Sequence, residues 1–266
     1  MPIRRRFPIA LSLLAVVLAA AVPTAALASG RRAAGPTRID RAEDCEEYIP
    51  AAYSLSPASS DTTINLDLLV LHDGVLKPDA EAIVLNAARA YSPLNLSLVA
   101  TYRKVTLIGD KGVAPASGRA DALIAETKTL LGGVRPAGTD IVFVLTTKDI
   151  YINGGDATGY ADCIGGIRYP NRSFALSEAI VPTDSVGPLN FYVDGAAKVM
   201  AHEIGHLLGA RHEHANCAQG VGAEDVFNSE PSACTLMVAY MDFQSLRFGT
   251  PEAMIVRAHA ESYAAP

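Results

Sequence analysis

The sequence predicts an α/β fold on a twisted, mostly parallel sheet, because short apolar runs alternate with amphipathic segments of helix length. A long helix with apolar residues on one face and polar residues on the other follows them. Ile64 to Leu71 is the first strand, and it becomes continuously apolar, as strands buried on both faces do. Lys77 to Ala90 is a helix with Pro78 in its first turn. Leu96 to Ile108 forms a second strand, and Arg119 to Leu131 a second helix stopped by Gly132 and Gly133. Asp140 to Leu145 is the third strand. This β-α-β-α-β order implies parallel neighbours joined by right-handed crossovers. A Gly-rich passage, Asn153 to Gly166, then holds a strand around Thr158–Ile164, and Phe174–Val181 supplies another. Asp194 is the candidate cap of the long helix, expected over Gly195–Gly209. Pro251 to Tyr263 closes the chain as a helix with Pro251 in its first turn.

Three segments are expected. Arg4, Arg5 and Arg6 precede an apolar run, Ile9 to Val22, that is short for a bilayer span and ends in Ala26-Leu27-Ala28. Residues 1–28 therefore read as a signal peptide, 29–60 as a tail or short pro-segment, and 61–266 as one catalytic-sized domain. The mature protein is expected outside the cell, with no membrane span after processing, as a monomer. Loss of residues 1–28 removes three arginines and no acid, leaving 19 basic residues against 28 acidic ones. An acidic chain gives no electrostatic basis for nucleic-acid binding.

Four of the six histidines fall within residues 202–214. They include the run His202-Glu203-Ile204-Gly205-His206-Leu207-Leu208-Gly209-Ala210-Arg211-His212, which satisfies H-E-x-x-H-x-x-G-x-x-H. Residues four apart share a helix face, so His202 and His206 can offer two imidazoles to one metal ion. Ala197, Met200, Ala201, Ile204, Leu207 and Leu208 form the opposite, apolar stripe. Gly209 permits a positive φ that ends the helix and turns the chain back. His212 then arrives as a third ligand. Three ligands leave a tetrahedral ion one open position, the arrangement of catalytic zinc rather than structural zinc. Glu203 is too close in sequence to be a ligand and can reach a water in that position.

The extended motif resembles that of the metzincin clan of zinc endopeptidases. The resemblance implies a zincin fold with a mostly parallel sheet, an antiparallel edge strand, a long zinc-binding helix and a coil-rich C-terminal lobe with a closing helix. It also implies a methionine turn beneath the metal, and Thr235-Leu236-Met237-Val238-Ala239-Tyr240 supplies one, 25 residues after His212. Met237 is the candidate turn residue, with Met241 as the alternative. Within the clan, Thr158-Gly159-Tyr160-Ala161-Asp162-Cys163, Cys234 and Phe248-Gly249-Thr250-Pro251 look most like the reprolysin (adamalysin-like) branch, here in a bacterial-type secreted form.

The resemblance assigns one catalytic Zn²⁺ to His202, His206 and His212, and the general base to Glu203. Tyr240 becomes a candidate hydrogen-bond donor to the developing oxyanion. The acidic residues form no calcium-loop pattern, and calcium binding is left undecided. In members of the clan, the edge strand pairs with an extended substrate backbone.

Four cysteines allow three pairings. Cys217 and Cys234 bracket the loop between His212 and the methionine turn, so a bond between them would staple it. Cys45 would then pair with Cys163. The rival role for Cys45 is a thiolate that blocks the zinc in a latent precursor. Its acidic neighbours, which raise a thiol pKa, favour the disulfide.

The expected function is thus a secreted zinc endopeptidase acting on protein or peptide. The alternatives are a non-catalytic zinc-bearing protein that binds a peptide or inhibitor, and a zinc amidase acting on a non-protein substrate.

Overall fold

The computed structural model describes residues 45, 62–109, 117–152, 155–179, 191–212, 235–237 and 246–265. All lie within the unit Gly35–Pro266.

Strand β1 (Ile64–Asp73) leads into helix α1 (Lys77–Tyr91), a short 3₁₀ turn and strand β2 (Leu96–Val105). Strand β3 (Ser117–Arg119) precedes helix α2 (Ala120–Leu130) and strand β4 (Ile141–Thr146). Three short strands follow: β5 (Asp149–Ile152), β6 (Gly155–Ala157) and β7 (Gly159–Ala161). Strand β8 (Phe174–Glu178) comes next, then helix α3 (Phe191–Leu207) and the closing helix α4 (Thr250–Tyr263).

The main sheet has the order β2-β1-β4-β8-β7, with β2, β1, β4 and β8 mutually parallel and β7 antiparallel to β8 at one edge. This is the predicted mixed sheet. Its pleat divides two cores. Leu66, Leu68 and Val70 of β1 and Ile141, Phe143 and Leu145 of β4 face one way, against buried residues of α1 and α3. Leu71, Val142 and Val144 face the other way, with Leu123 and Ile124 of α2. Each such side chain, when fully buried, contributes roughly 2 kcal/mol. That two-sided burial is why β4 reads in sequence as one apolar run.

Several boundaries differ from expectation, each for a local reason. β2 stops at Val105 because the following amides leave the ladder: Leu107 N donates to Asp73 Oδ1, and Ile108 N to Glu126 Oε1. The edge strand is confined to Gly159–Ala161, because Cys163 enters a disulfide and Gly165, at φ 81°, starts a 3₁₀ turn. Helix α3 starts at Phe191, four residues before the expected start, so Asp194 lies inside it and is not its N-cap. Tyr192 and Val193 extend the spacing of Ala196 and Ala197 by one turn, which carries the helix back to them. The small sheet β3-β5-β6 was not anticipated. No helix among the described residues is long and apolar enough to cross a membrane. The expected signal peptide (1–28), and the 29–60 segment apart from Cys45, lie outside the described residues.

Candidate metal centre

Helix α3 carries His202 and His206 one turn apart, both fully buried. On the opposite side of the helix, Ile204, Leu207 and Leu208 join the α1–α3 core. Tyr91 of α1 fixes this helix directly. Its hydroxyl donates to the Ala201 carbonyl at 2.6 Å, immediately before the first histidine. Burial first, and the nearby Glu203 charge second, push the Tyr91 phenol well above its usual pKa, so it stays a donor.

The helix then ends in a Schellman turn. Gly209 N donates to His206 O, and Ala210 N to Gly205 O, with Gly209 at φ 88°. That turn brings His212 back beside the helix. The three Nε2 atoms lie 3.0 Å (His202–His206), 3.1 Å (His206–His212) and 3.2 Å (His202–His212) apart. Among the described residues this is the one histidine, cysteine or carboxylate group compact enough to hold a metal.

The donor chemistry fits zinc. His202 Nδ1 faces Leu236 O at 2.7 Å, and His206 Nδ1 faces Ala210 O at 2.8 Å. A carbonyl only accepts, so both Nδ1 atoms carry a proton, and a ring of that tautomer presents its Nε2 lone pair. Two lone pairs at 3.0 Å cannot hydrogen-bond each other. A tetrahedral ion with zinc–nitrogen bonds of about 2.05 Å spaces its ligands by about 3.3 Å, close to what is found. The backbone carbonyls that orient the rings are the usual outer partners of metal-binding histidines.

Beneath the helix, Met237 is fully buried, and its sulfur would lie 2.9 Å from a β-carbon placed on Gly205. Phe248 meets the same position at 2.9 Å. Gly205, between Glu203 and His206, thus lets the methionine and the Phe248 ring pack against the helix backbone. The turn is tied down by Leu236 N to Arg247 O and by Met237 N to Thr235 Oγ1 at 3.3 Å. Because Leu236 also orients His202, the turn serves the ligand as well as the floor.

Cys45 and Cys163 form a disulfide, and Cys45 N donates to Ile164 O. The Cys45 sulfur is therefore bonded away from the histidines, which excludes the zinc-blocking alternative in this state. Two residues on, Gly165 N donates to His206 O at 2.8 Å, so the disulfide-bearing loop touches a ligand residue's backbone. Cys217, Cys234, Tyr240 and Met241 lie outside the described residues.

Sequence reasoning did not single out Tyr91, Gly165, Gly205 or His259 for the site. His259 of α4 packs its ring against Gly209, although 50 residues separate the two. Nothing in their local sequence marks these residues, because each acts through shape or one backbone bond.

Residues 92–213 match the M12B metallopeptidase family, reprolysin-like. No curated protein matches the sequence. In fold, the chain resembles the crystal structure of metalloproteinase-II from Bacteroides fragilis, with TM-score 0.50 and 16% identity over 85% of this chain and 57% of that one. It also resembles archaemetzincin from Methanopyrus kandleri, with TM-score 0.52 and 17% identity over 74% of this chain and 96% of that one. The chain thus spans less than two thirds of the Bacteroides protein. At these identities the likeness to solved structures is one of fold. The fold is metzincin-like, and the segment that matches the metallopeptidase family model contains the histidine triad.

Proposed function

We propose that the protein is an exported zinc endopeptidase of the reprolysin-like branch, with Glu203 as its general base. The observation that carries this reading is the convergence of three imidazole nitrogens within 3.2 Å, next to a buried glutamate on the same helix. His202, His206 and His212 hold the ion. Zinc, when bound, supplies Lewis acidity that polarises a carbonyl and acidifies water toward neutral pH.

Glu203 takes the proton of the attacking water and returns it to the leaving amine, so both proton transfers stay with one carboxylate. The edge strand β7 offers its outer ladder groups to an extended peptide. Met237 shapes the floor, and Tyr240 is the candidate oxyanion donor. Retention of a glutamate beside the ligands favours an enzyme over a purely binding protein, which has no use for a base there. The Arg4-Arg5-Arg6 run and the apolar stretch after it support export, which mass spectrometry of the processed N-terminus tests.

The test of activity is incubation of purified protein with casein and quenched-fluorescent peptides, with and without a zinc chelator. Cleavage is expected, abolished by chelation and restored by zinc. Glu203→Ala should keep the metal and lose about 10²- to 10⁴-fold in kcat. Wild-type turnover in that variant would remove Glu203 from the mechanism.

A further inference from the structure

Gly159 opens the edge strand β7, is buried, and pairs with Ser177 of β8. Its φ lies outside the left-handed region, so its backbone conformation is open to any residue. Glycine is therefore needed here for space rather than for conformation. A β-carbon built at this position would lie 2.5 Å from Glu203 Oε1, 2.5 Å from Val199 Cγ1 and 2.9 Å from Glu203 Cγ. Val199 and Glu203 are four residues apart on α3, so the strand sits in a notch between two side chains of one helix face.

The two walls of that notch yield differently. Val199 is fully buried, and a β-branched side chain in a helix has essentially one χ1 rotamer. Glu203 presents the far end of a longer, rotatable chain. Gly166 gives a contrast: a β-carbon there would meet the Arg172 carbonyl oxygen, which is backbone and has no rotamer to change. Of the two walls, Glu203 is the one that can turn away from a methyl group at Gly159, by a change of rotamer that carries both its Cγ and its carboxylate to a new place.

We infer that Gly159 is a positioning residue for Glu203: the missing side chain on the edge strand fixes where the general base stands. This rests on the peptidase reading and adds to it a coupling between strand and base. The strand proposed to pair with substrate is also the surface that holds the carboxylate in register with it. Displacing a reacting group by about 1 Å can cost about 10²-fold in rate while leaving binding nearly intact.

The experiment is a mutant cycle on zinc-loaded protein, joined to crystal structures of wild type and Gly159→Ala. Gly159→Ala should keep its zinc, lose some stability through the Val199 contact, and lose about 10²-fold in kcat with KM within about threefold. In a Glu203→Ala background, Gly159→Ala should cost nothing further. The crystal of Gly159→Ala should show the carboxylate displaced relative to the three histidines by more than the strand shifts at Val199. Wild-type kcat in Gly159→Ala overturns the inference, as does a multiplicative loss with Glu203→Ala.

Should Gly159→Ala fail to fold, Gly159→Ala/Val199→Ala removes the stiff wall and is read in the same cycle. Restoration of kcat in that double variant overturns the inference, because the loss then ran through Val199 and the strand. Absence of cleavage by zinc-loaded wild type would instead sink the peptidase reading. An undisplaced carboxylate in the variant crystal overturns the positioning inference whether or not the wild type cleaves.

Discussion

Helices α2 and α3 end in the same turn and use it for different ends. After α2, Gly132 N donates to Thr129 O and Gly133 N to Lys128 O, with Gly132 at φ 78° and Gly133 at φ 91°. After α3, Gly209 N donates to His206 O and Ala210 N to Gly205 O, with Gly209 at φ 88°. Both are Schellman turns. Around Gly132 and Gly133, an added β-carbon would meet nothing within 4 Å. At Gly209 it would lie 2.6 Å from the His259 ring. The carbonyl of Ala210, placed by the same turn, holds His206 Nδ1 at 2.8 Å. One turn is punctuation. The other has been built into ligand geometry, and the difference lies entirely in what surrounds it.

The largest expected effect tests that difference directly. Gly132→Ala should cost about 1–2 kcal/mol, the strain of a left-handed alanine, and leave zinc binding unchanged. Gly209→Ala adds a collision with His259 and should cost roughly 3 kcal/mol or more in an unfolding titration, with zinc affinity down at least about tenfold. Gly209→Ala/His259→Ala should recover the steric part alone. Equal losses at the two turns would erase the contrast.

Much of this could be read in the sequence, and where reading stopped has a physical reason. His202 and His206 are legible as co-facial because helical period alone places them, and Gly209 is legible because a positive φ singles out glycine. The same logic finds β4, where Ile141 to Leu145 is apolar throughout. It does not find the second duty of Gly209, because the partner ring arrives from α4 through tertiary packing. Gly159 and Gly205 escape for the same reason: each is an absence of side chain whose value depends on a neighbour brought in by the fold. Tyr91 acts through one bond to a backbone carbonyl 110 residues away, and no motif encodes such a pairing. The sequence points to a start of α3 after Asp194 because that residue matches a cap by type, whereas Tyr192 and Val193 continue the helix by spacing.

Metal removal should separate the two turns in exchange rates. With zinc bound, the Gly209 and Ala210 amides are coupled to His206 and His212 through the turn, while Gly132 and Gly133 have no ligand near them in sequence. Chelation is expected to speed hydrogen exchange at Gly209 and Ala210 by about tenfold or more, and to leave Gly132 and Gly133 within error. Uniform acceleration across both turns would mean that zinc acts on global stability alone.

The smallest expected effect concerns acid. Burial lowers the His259 pKa below its usual value, with the Ile255 carbonyl, which accepts from Nδ1 at 3.0 Å, opposing that shift. A histidine with a depressed folded pKa binds its proton more readily when unfolded. Its contribution is therefore present above pH 6.5 and lost as pH falls below 6.5 toward the folded value. Because the ring lies on Gly209, charging it should loosen the α3 turn and leave the α2 turn alone. His259→Gln should flatten the fall in stability between pH 6.5 and 5, by at most about 1.4 kcal/mol per pH unit. All other groups are common to both proteins, so their contribution largely cancels in the difference. Parallel stability curves for wild type and variant would show that the ring fills space beside Gly209 without coupling its charge to the turn. In that case steric contact alone distinguishes the two helix ends.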